Sequence, residues 1–161
     1  MATQIDPVPS GPDLVYRPWT LRAMNRSDLH QLARERVREA RQLLRARAPT
    51  GAYYLAGYAV ECALKACIAK KTQRFEFPSR HTVNESHAHD LDKLLKLAGL
   101  ERALDQEARA RAGLGVNWTT VKAWSERSRY EMATDMRRAR ALYRAITGRR
   151  DGVLPWVRRH W

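Results

Sequence analysis

Residues 52–71, AYYLAGYAVECALKACIAKK, are the segment that most restricts the fold of this chain. The segment is as long as a complete helix and is apolar on almost every side. A helix of this kind must be covered by other elements in several directions, so it belongs at the centre of a helical bundle. Its inner part nevertheless carries one carboxylate, Glu61, with Lys65 one turn later. Burying an ionised group is costly unless it is paired, which makes this pair the first place to look for function.

Glu61 and Lys65 have the spacing of an i, i+4 ion pair in its favourable orientation. One interpretation is structural: an internal ion pair, or a Glu61 carboxylate bonded to an arginine of a facing helix. The other places Glu61 in a cleft with Arg127, Arg129 and Tyr130, where it orients guanidinium groups toward phosphate. A planar guanidinium binds carboxylate and phosphate alike in bidentate fashion. We favour the structural glutamate–arginine pairing and retain phosphate contact as the alternative.

Apolar periodicity and capping residues divide the rest of the chain into amphipathic helices. We expect Gly113 and Gly115 to break the chain before a helix capped by Asn117. Because no segment clearly shows the alternating pattern of a β-strand, the sequence predicts an all-α, antiparallel four- to five-helix bundle. The other predicted helices begin at Asn25 or Ser27 and end near Ala48, start near 87–90 and stop at Gly99, cover 101–112, cover 118–131, and cover about 134–147.

With 161 residues the chain is expected to form one domain with three parts. Residues 1–24, where most of the prolines lie, are predicted to be an extended N-terminal arm. Residues 25–148 form the bundle, with an irregular loop at 75–85. Residues 149–161 form a C-terminal tail that packs on the bundle or on a dimer partner.

The expected cellular compartment follows from three features: no membrane span, no signal peptide and no disulfide is predicted. Charged residues interrupt its best apolar run, so no membrane span is expected. The proline-rich start with an early aspartate does not resemble a signal peptide. Cys62 and Cys67 are five residues apart on one helix and point in different directions, which favours buried, reduced thiols. We therefore expect a cytoplasmic protein.

The formal net charge is +13, from 30 basic and 17 acidic residues. Arginine accounts for 24 of the basic residues. One explanation is that a GC-rich genome favours arginine over lysine and that the excess charge is simply exposed to solvent. That explanation does not account for the excess of basic over acidic residues. A positive field favours polyanionic partners, nucleic acid above all. We therefore expect RNA or a nucleotide as a partner.

Three passages together resemble a HEPN domain, a small α-helical family of prokaryotic nucleotide-binding and defence-associated proteins. They are AYYLAGYAVECALKACI at 52–68, HAHDLDKLLKLAGL at 87–100, and WSERSRYE at 124–131 with the closing GVLPWVRRHW at 152–161. The resemblance rests on their order and spacing and covers most of residues 25–161. It implies a HEPN-like helical bundle, usually a homodimer with a cleft between the subunits.

The resemblance also implies two functions. Many HEPN proteins are metal-independent ribonucleases of toxin–antitoxin, phage-defence or CRISPR-linked systems. Others are non-catalytic modules that bind a nucleotide or partner a nucleotidyltransferase or antitoxin. We predict a HEPN protein of a defence or toxin–antitoxin system that acts on or binds RNA in a basic intersubunit cleft. The alternative is the non-catalytic module.

The ribonuclease members of the family have an arginine followed, after four to six residues, by a histidine near the start of a late helix. No histidine follows Arg127 or Arg129 at that distance. The spacing occurs instead at Arg80 and His87, and again at Arg74 and His81, in or beside the predicted loop.

Arg80 and His87 are accordingly the predicted catalytic residues, although we leave catalysis undecided. His87 would take the 2′-OH proton and Arg80 would stabilise the charge of the phosphorane, so no metal is needed. The alternative, which we favour, is that His81 and His87 are ordinary loop histidines.

His87, His89 and Asp90 do not form a convincing metal site, because third and fourth ligands are lacking. A histidine and an aspartate at a helix start more often cap it. We predict no metal and no cofactor. The residues assigned to the cleft are Glu61, Lys65, Arg127, Arg129, Tyr130 and His89.

The tryptophans have two interpretations. Trp118 and Trp124 are placed on one predicted helix and are expected to pack inward or at a dimer interface. Trp156 and Trp161 flank two arginines, which suits an RNA-stacking strip. A tail that wraps the bundle is the favoured interpretation of this second pair.

Overall fold

The structure is a computed structural model that describes residues 24–71 and 88–161. Within them the chain forms seven α-helices and one 3-10 helix, with no strand, so the all-α prediction is confirmed. The elements are α1 (Arg26–Arg45), α2 (Pro49–Lys71), α3 (Leu91–Leu97), α4 (Glu101–Ala110), α5 (Ala112–Lys122), the 3-10 helix (Glu126–Tyr130), α6 (Met136–Thr147) and α7 (Val153–Val157). The loop predicted at 75–85 and nearly all of the predicted arm lie outside the described residues.

The start of α1 resolves the choice between two candidate caps. The Asn25 side chain accepts a hydrogen bond from the backbone N–H of Asp28, and the Asp28 carboxylate accepts one from the backbone N–H of Asn25, each at 3.0 Å. This reciprocal capping box satisfies two N–H groups that would otherwise lack partners. Asn25, rather than Ser27, is therefore the cap.

The helices α1 and α2 form an antiparallel hairpin with a three-residue connection. Arg47 adopts the left-handed backbone conformation there, with φ of 58°. On α1 the fully buried residues are Ala33 and Ala40, whose small side chains let the two helix backbones approach closely. The opposite face of α1 is exposed and charged.

The central helix predicted from residues 52–71 is α2. Thirteen of its residues are buried, and it contacts α1, α3, α6, α7 and the 3-10 helix. The absence of a polar face is therefore explained, because neighbours cover this helix on several sides. Both thiols on α2, Cys62 and Cys67, are free and buried. Burial raises their pKa values, to about 12 for Cys62 and about 11 for Cys67.

The prediction that Gly113 and Gly115 break the chain was wrong, because both lie inside α5. A Cβ on Gly113 would come within 2.6 Å of the Asp151 carboxylate, and one on Gly115 within 3.3 Å of the Ala108 side chain. The two glycines thus allow neighbouring segments to approach α5, at the helix-propensity cost typical of glycine. Asn117 is no cap either: its side-chain amide donates to the Asp151 carbonyl at 2.8 Å.

The helix predicted over 118–131 is also interrupted. α5 ends at Lys122, and the chain continues as a separate 3-10 helix whose N-terminus is capped by the Ser125 hydroxyl. Trp118 and Trp124 therefore do not share a helix. Both are nevertheless buried, as expected from their size.

The C-terminal residues pack on the bundle of this same chain. All four of Val153, Leu154, Trp156 and Val157 are buried and belong to the main hydrophobic core. The Trp156 indole donates to the Glu107 carboxylate at 2.9 Å, which anchors α7 to α4. No helix in the described part of the chain is both long enough and apolar enough to cross a bilayer.

Candidate functional site

Among the described residues, Glu61 is the most deeply buried ionisable side chain, with 1% of its surface exposed. Its Oε1 accepts a hydrogen bond from Lys65 Nζ at 2.9 Å and contacts His89 Nδ1 at 3.0 Å. Its Oε2 is buried and has no partner among the described residues. The predicted i, i+4 spacing therefore does produce an ion pair, and His89 completes a three-residue cluster.

Local structure explains how His89 reaches Glu61. Asp90, the next residue, caps α3 by accepting a hydrogen bond from the backbone N–H of Lys93 at 3.0 Å. This cap fixes the entry into α3, and the burial of Leu91 holds the helix against α2. His89 is thereby held over the middle of α2, with 44% of its side chain exposed. It connects the buried carboxylate to the surface.

The hydrogen bond to Glu61 determines how the His89 ring is used. A carboxylate only accepts hydrogen bonds, so Nδ1 is the nitrogen that carries a proton. The second ring nitrogen, Nε2, makes no hydrogen bond to a described residue. In neutral His89, Nε2 is therefore an acceptor available to a ligand.

A surface pocket of about 410 Å³ opens beside this cluster. His89 and the start of α3 form one wall, and the end of α5 with residues 124–127 forms the other. Its lining residues are His89, Asp90, Leu91, Asp92, Lys122, Ala123, Trp124, Ser125, Glu126 and Arg127. We call this space the His89 pocket.

The charges of the His89 pocket are mixed rather than purely basic. The Asp92 carboxylate pairs with Lys122 at 3.4 Å and accepts a hydrogen bond from the Trp118 indole at 3.2 Å. Asp90 caps α3. Glu126 accepts from the Ser125 hydroxyl at 3.1 Å. Burial alone would raise the pKa of Glu126, but hydrogen bonds from its own backbone N–H and from Ser125, with nearby positive charge, hold that pKa below its usual value.

Arg127 lines the pocket, and its charge helps to lower the pKa of the neighbouring Glu126 carboxyl. Arg127 is exposed and makes no ion pair with any residue in the described ranges. His89 likewise presents Nε2 without a protein partner. An anionic or hydrogen-bonding ligand in the pocket would therefore meet Arg127 and His89 first.

Trp124 forms the floor of the His89 pocket and rests directly on α2. A Cβ on Gly57 would lie at under 3.0 Å from atoms of the Trp124 indole, so only glycine allows this approach. Tyr54, one turn earlier on α2, lies beside the same indole with ring centroids 6.2 Å apart. The tryptophan is 3% exposed, so the floor is rigid and the 3-10 helix above it is held in place.

The other two predicted cleft residues lie on the 3-10 helix. The Arg129 guanidinium is 4.8 Å from the centre of the Tyr130 ring, in cation–π geometry. Tyr130 is 73% exposed, and Met132, two residues later, is 97% exposed. An arginine stacked on an exposed ring forms a flat surface at the edge of the chain, and we call Arg129 and Tyr130 the stacking pair.

The structure corrects the favoured interpretation of Glu61. We favoured a pairing of its carboxylate with an arginine of a facing helix, and the alternative placed Glu61 in a cleft with Arg127, Arg129 and Tyr130. Within the described residues its partners are instead Lys65 and His89. Neither arginine contacts Glu61, because Arg127 lines the pocket and Arg129 lies over the Tyr130 ring.

The predicted catalytic residues, Arg80 and His87, lie outside the described residues, and so do Arg74 and His81. The described ranges contain no cluster of three or more histidine, cysteine, aspartate or glutamate side chains that could hold a metal ion. Lys122, Trp124 and Glu126 line the pocket but were not predicted. No sequence signal identifies Lys122 or Glu126 as pocket residues.

Comparison with known proteins gives one match. Residues 27–139 match the family model described as HEPN domain, which covers more than half of the chain and includes the His89 pocket. No curated protein matches the chain, and no solved structure does.

Proposed function

Because this chain belongs to the HEPN domain family, we propose that it binds RNA at the His89 pocket and the adjoining stacking pair. The observation that carries this proposal is the arrangement along the 3-10 helix. There, the exposed Arg127 lines the pocket, and Tyr130 presents an exposed ring under the Arg129 guanidinium.

The chemistry of this surface suits a single strand. Base stacking on an exposed aromatic ring tolerates any sequence, and neighbouring guanidinium groups track the phosphates. Two carboxylates of the pocket lie near a basic side chain, Asp92 near Lys122 and Glu126 near Arg127, so the phosphate contacts are assigned to the guanidinium groups of the 3-10 helix. The net charge of +13 supports the approach of a polyanion to the protein as a whole.

The proposal extends to the assembly and the biological setting. We infer a homodimer in which the RNA runs through a cleft between two copies, as is usual for this family. Met132, two residues after Tyr130, is an exposed apolar side chain that a second copy can cover. The setting that this family suggests is a defence or toxin–antitoxin system in the cytoplasm, with an antitoxin or nucleotidyltransferase as partner.

RNA binding by the proposed surface is tested with the variant R127Q/R129Q. Each lost phosphate contact removes about 0.7 from the slope of log affinity against log salt for a single strand, so we expect a slope lower by about 1.4. We also expect an affinity loss of at least about tenfold. The measurement is fluorescence anisotropy of a labelled uridine 20-mer at several salt concentrations.

The matched control for this measurement is R41Q/R45Q on the exposed face of α1, which removes the same charge elsewhere. We expect this control to retain wild-type affinity within about a factor of two. Equal losses in the two double variants would show that only net charge matters, and the proposed surface would then be wrong.

A non-catalytic module is the second candidate function. It is favoured by a specific observation: positions 132–134, where a histidine at the family's spacing from Arg127 would stand, contain no histidine. In that case the His89 pocket binds RNA or a nucleotide without turnover. A stable complex with a nucleotidyltransferase or another defence protein is the second form of this alternative.

Cleavage of the uridine 20-mer in EDTA separates the two candidates. If the protein is a metal-independent ribonuclease, the wild type cleaves in EDTA and H87A or R80A abolishes the activity. H89Q is the informative third variant, because His89 is the histidine that lines the pocket. Cleavage that persists in H87A and R80A would exclude the predicted pair, and binding without cleavage would support the non-catalytic module.

A further inference from the structure

A second positively charged surface lies on α6, apart from the His89 pocket. Arg137, Arg140 and Arg144 line a shallow groove of about 380 Å³ together with Met136 and Ala141. We call this surface the α6 groove. Its three arginines follow i, i+3 and i+7 spacing, which places them on one face of the helix.

The charge pattern of α6 is unfavourable for an isolated helix. The helix contains four arginines and no acidic residue between Met136 and Thr147. Like charges three and four residues apart repel each other, and Arg137 in the first turn opposes the helix dipole. An external anion at this face would relieve both effects.

Five arginines of the described residues have carboxylate partners, and one of them lies on α6. On α1, Arg36 pairs with Glu39 at 2.8 Å and Arg38 with Glu35 at 2.6 Å. On α6 itself, Arg138 points away from the groove, where it pairs with Glu131 at 3.0 Å and lies over the Tyr53 ring. The three arginines of the α6 groove make no ion pair within the described residues.

We propose that the α6 groove binds an acidic, amphipathic helix of a partner protein. The arginines supply planar guanidinium groups that bind carboxylates in bidentate fashion. Between them lies apolar surface from Met136 and Ala141, and methionine and arginine are both enriched at protein interfaces. Phosphate contacts need only the charges, whereas an amphipathic helix uses the apolar floor as well. A protein partner therefore accounts for more of the surface than RNA does.

The spacing of the arginines specifies the partner further. Arg137 and Arg144 are seven residues apart, or about 10 Å along the helix axis. A partner helix that carries glutamates at i, i+3 or i+4, and i+7 places its carboxylates at the same intervals. Leucines on the adjacent stripe then face the apolar floor. This proposal is independent of RNA binding at the His89 pocket.

The substitution A141E tests the proposal without disturbing the core, because Ala141 is exposed. A glutamate at this position lies four residues after Arg137 and three before Arg144, so it neutralises the groove from within. We expect A141E to melt at the same temperature as the wild type or higher, and to lose at least tenfold in affinity for an acidic helix. A141Q, which adds the same bulk without charge, should stay within about a factor of two of the wild-type affinity.

The probe is a synthetic 16-residue helical peptide with one leucine stripe flanked by glutamates, titrated against the full chain by fluorescence anisotropy. A second peptide with glutamine in place of leucine should bind at least fivefold more weakly, because it cannot use the apolar floor. The proposal is overturned if the wild type does not bind the leucine peptide, or if A141E binds it as well as A141Q does. It is also wrong if A141E weakens binding of a uridine 20-mer and leaves peptide affinity unchanged, since the groove is then a nucleic-acid surface.

Discussion

Removal of residues 149–161 is expected to give a chain that no longer folds cooperatively. The deletion takes away four core side chains of α7, three of which are aliphatic and one of which is Trp156. Loss of a buried tryptophan alone typically costs about 3–5 kcal/mol. Because the total stability of a domain is about 5–15 kcal/mol, loss of the whole segment, which also uncovers α2, exceeds what the bundle can tolerate.

Circular dichroism melting curves check this expectation, with the full chain as reference. Two point variants keep the test informative if the truncated chain is insoluble. W156A should lower the free energy of unfolding by about 3–5 kcal/mol. W156F keeps a ring but loses the hydrogen bond to Glu107, so it should cost clearly less. A truncated chain with a sharp melting transition near that of the full chain would show that α7 is dispensable.

Substitution of Gly57 by alanine is expected to destabilise the fold, although alanine is the better helix former. The added Cβ would lie at under 3.0 Å from the Trp124 indole, which is fixed in the core. Such overpacking costs about 1–3 kcal/mol or more, which outweighs the gain of about 1 kcal/mol in helix propensity. The readout is the free energy of unfolding from urea denaturation.

The W124A background reverses the expected sign of this effect. With the indole removed, G57A no longer meets an obstacle, so only the propensity gain remains and the substitution should stabilise the W124A protein. G51A serves as control, because its Cβ would meet only the flexible end of the Leu43 side chain, at 3.1 Å. If G57A is equally destabilising with and without the tryptophan, the explanation by close packing fails.

The elements that the sequence predicts correctly are those determined by short-range pattern. The apolar surface of α2 indicates its central position, and Asn25, Asp90 and Gly99 mark the ends of helices within a few residues. α5 was missed because glycine was treated as a local helix breaker. Its two glycines are explained only by Asp151 and Ala108, which approach from elsewhere in the fold.

In the candidate site, too, the sequence predicts contacts within one helix but not contacts between distant segments. The Glu61–Lys65 pair follows from helical spacing, and His89 belonged to the predicted cleft. The contact between Glu61 and His89 spans 28 residues, and no periodicity within one helix encodes it. The same applies to Lys122 and Glu126, whose position in the pocket depends on where α5 ends and the 3-10 helix begins.

The late position of α7 in the chain has a consequence for synthesis. Cys67 on α2 contacts the carbonyl of Val157, 90 residues further on, at 3.9 Å. At a translation rate of about 5–20 residues per second, roughly 5–18 s separate the two on the ribosome. During that interval the most apolar helix of the protein lacks part of its cover, and nascent α2 is the segment on which a chaperone would act.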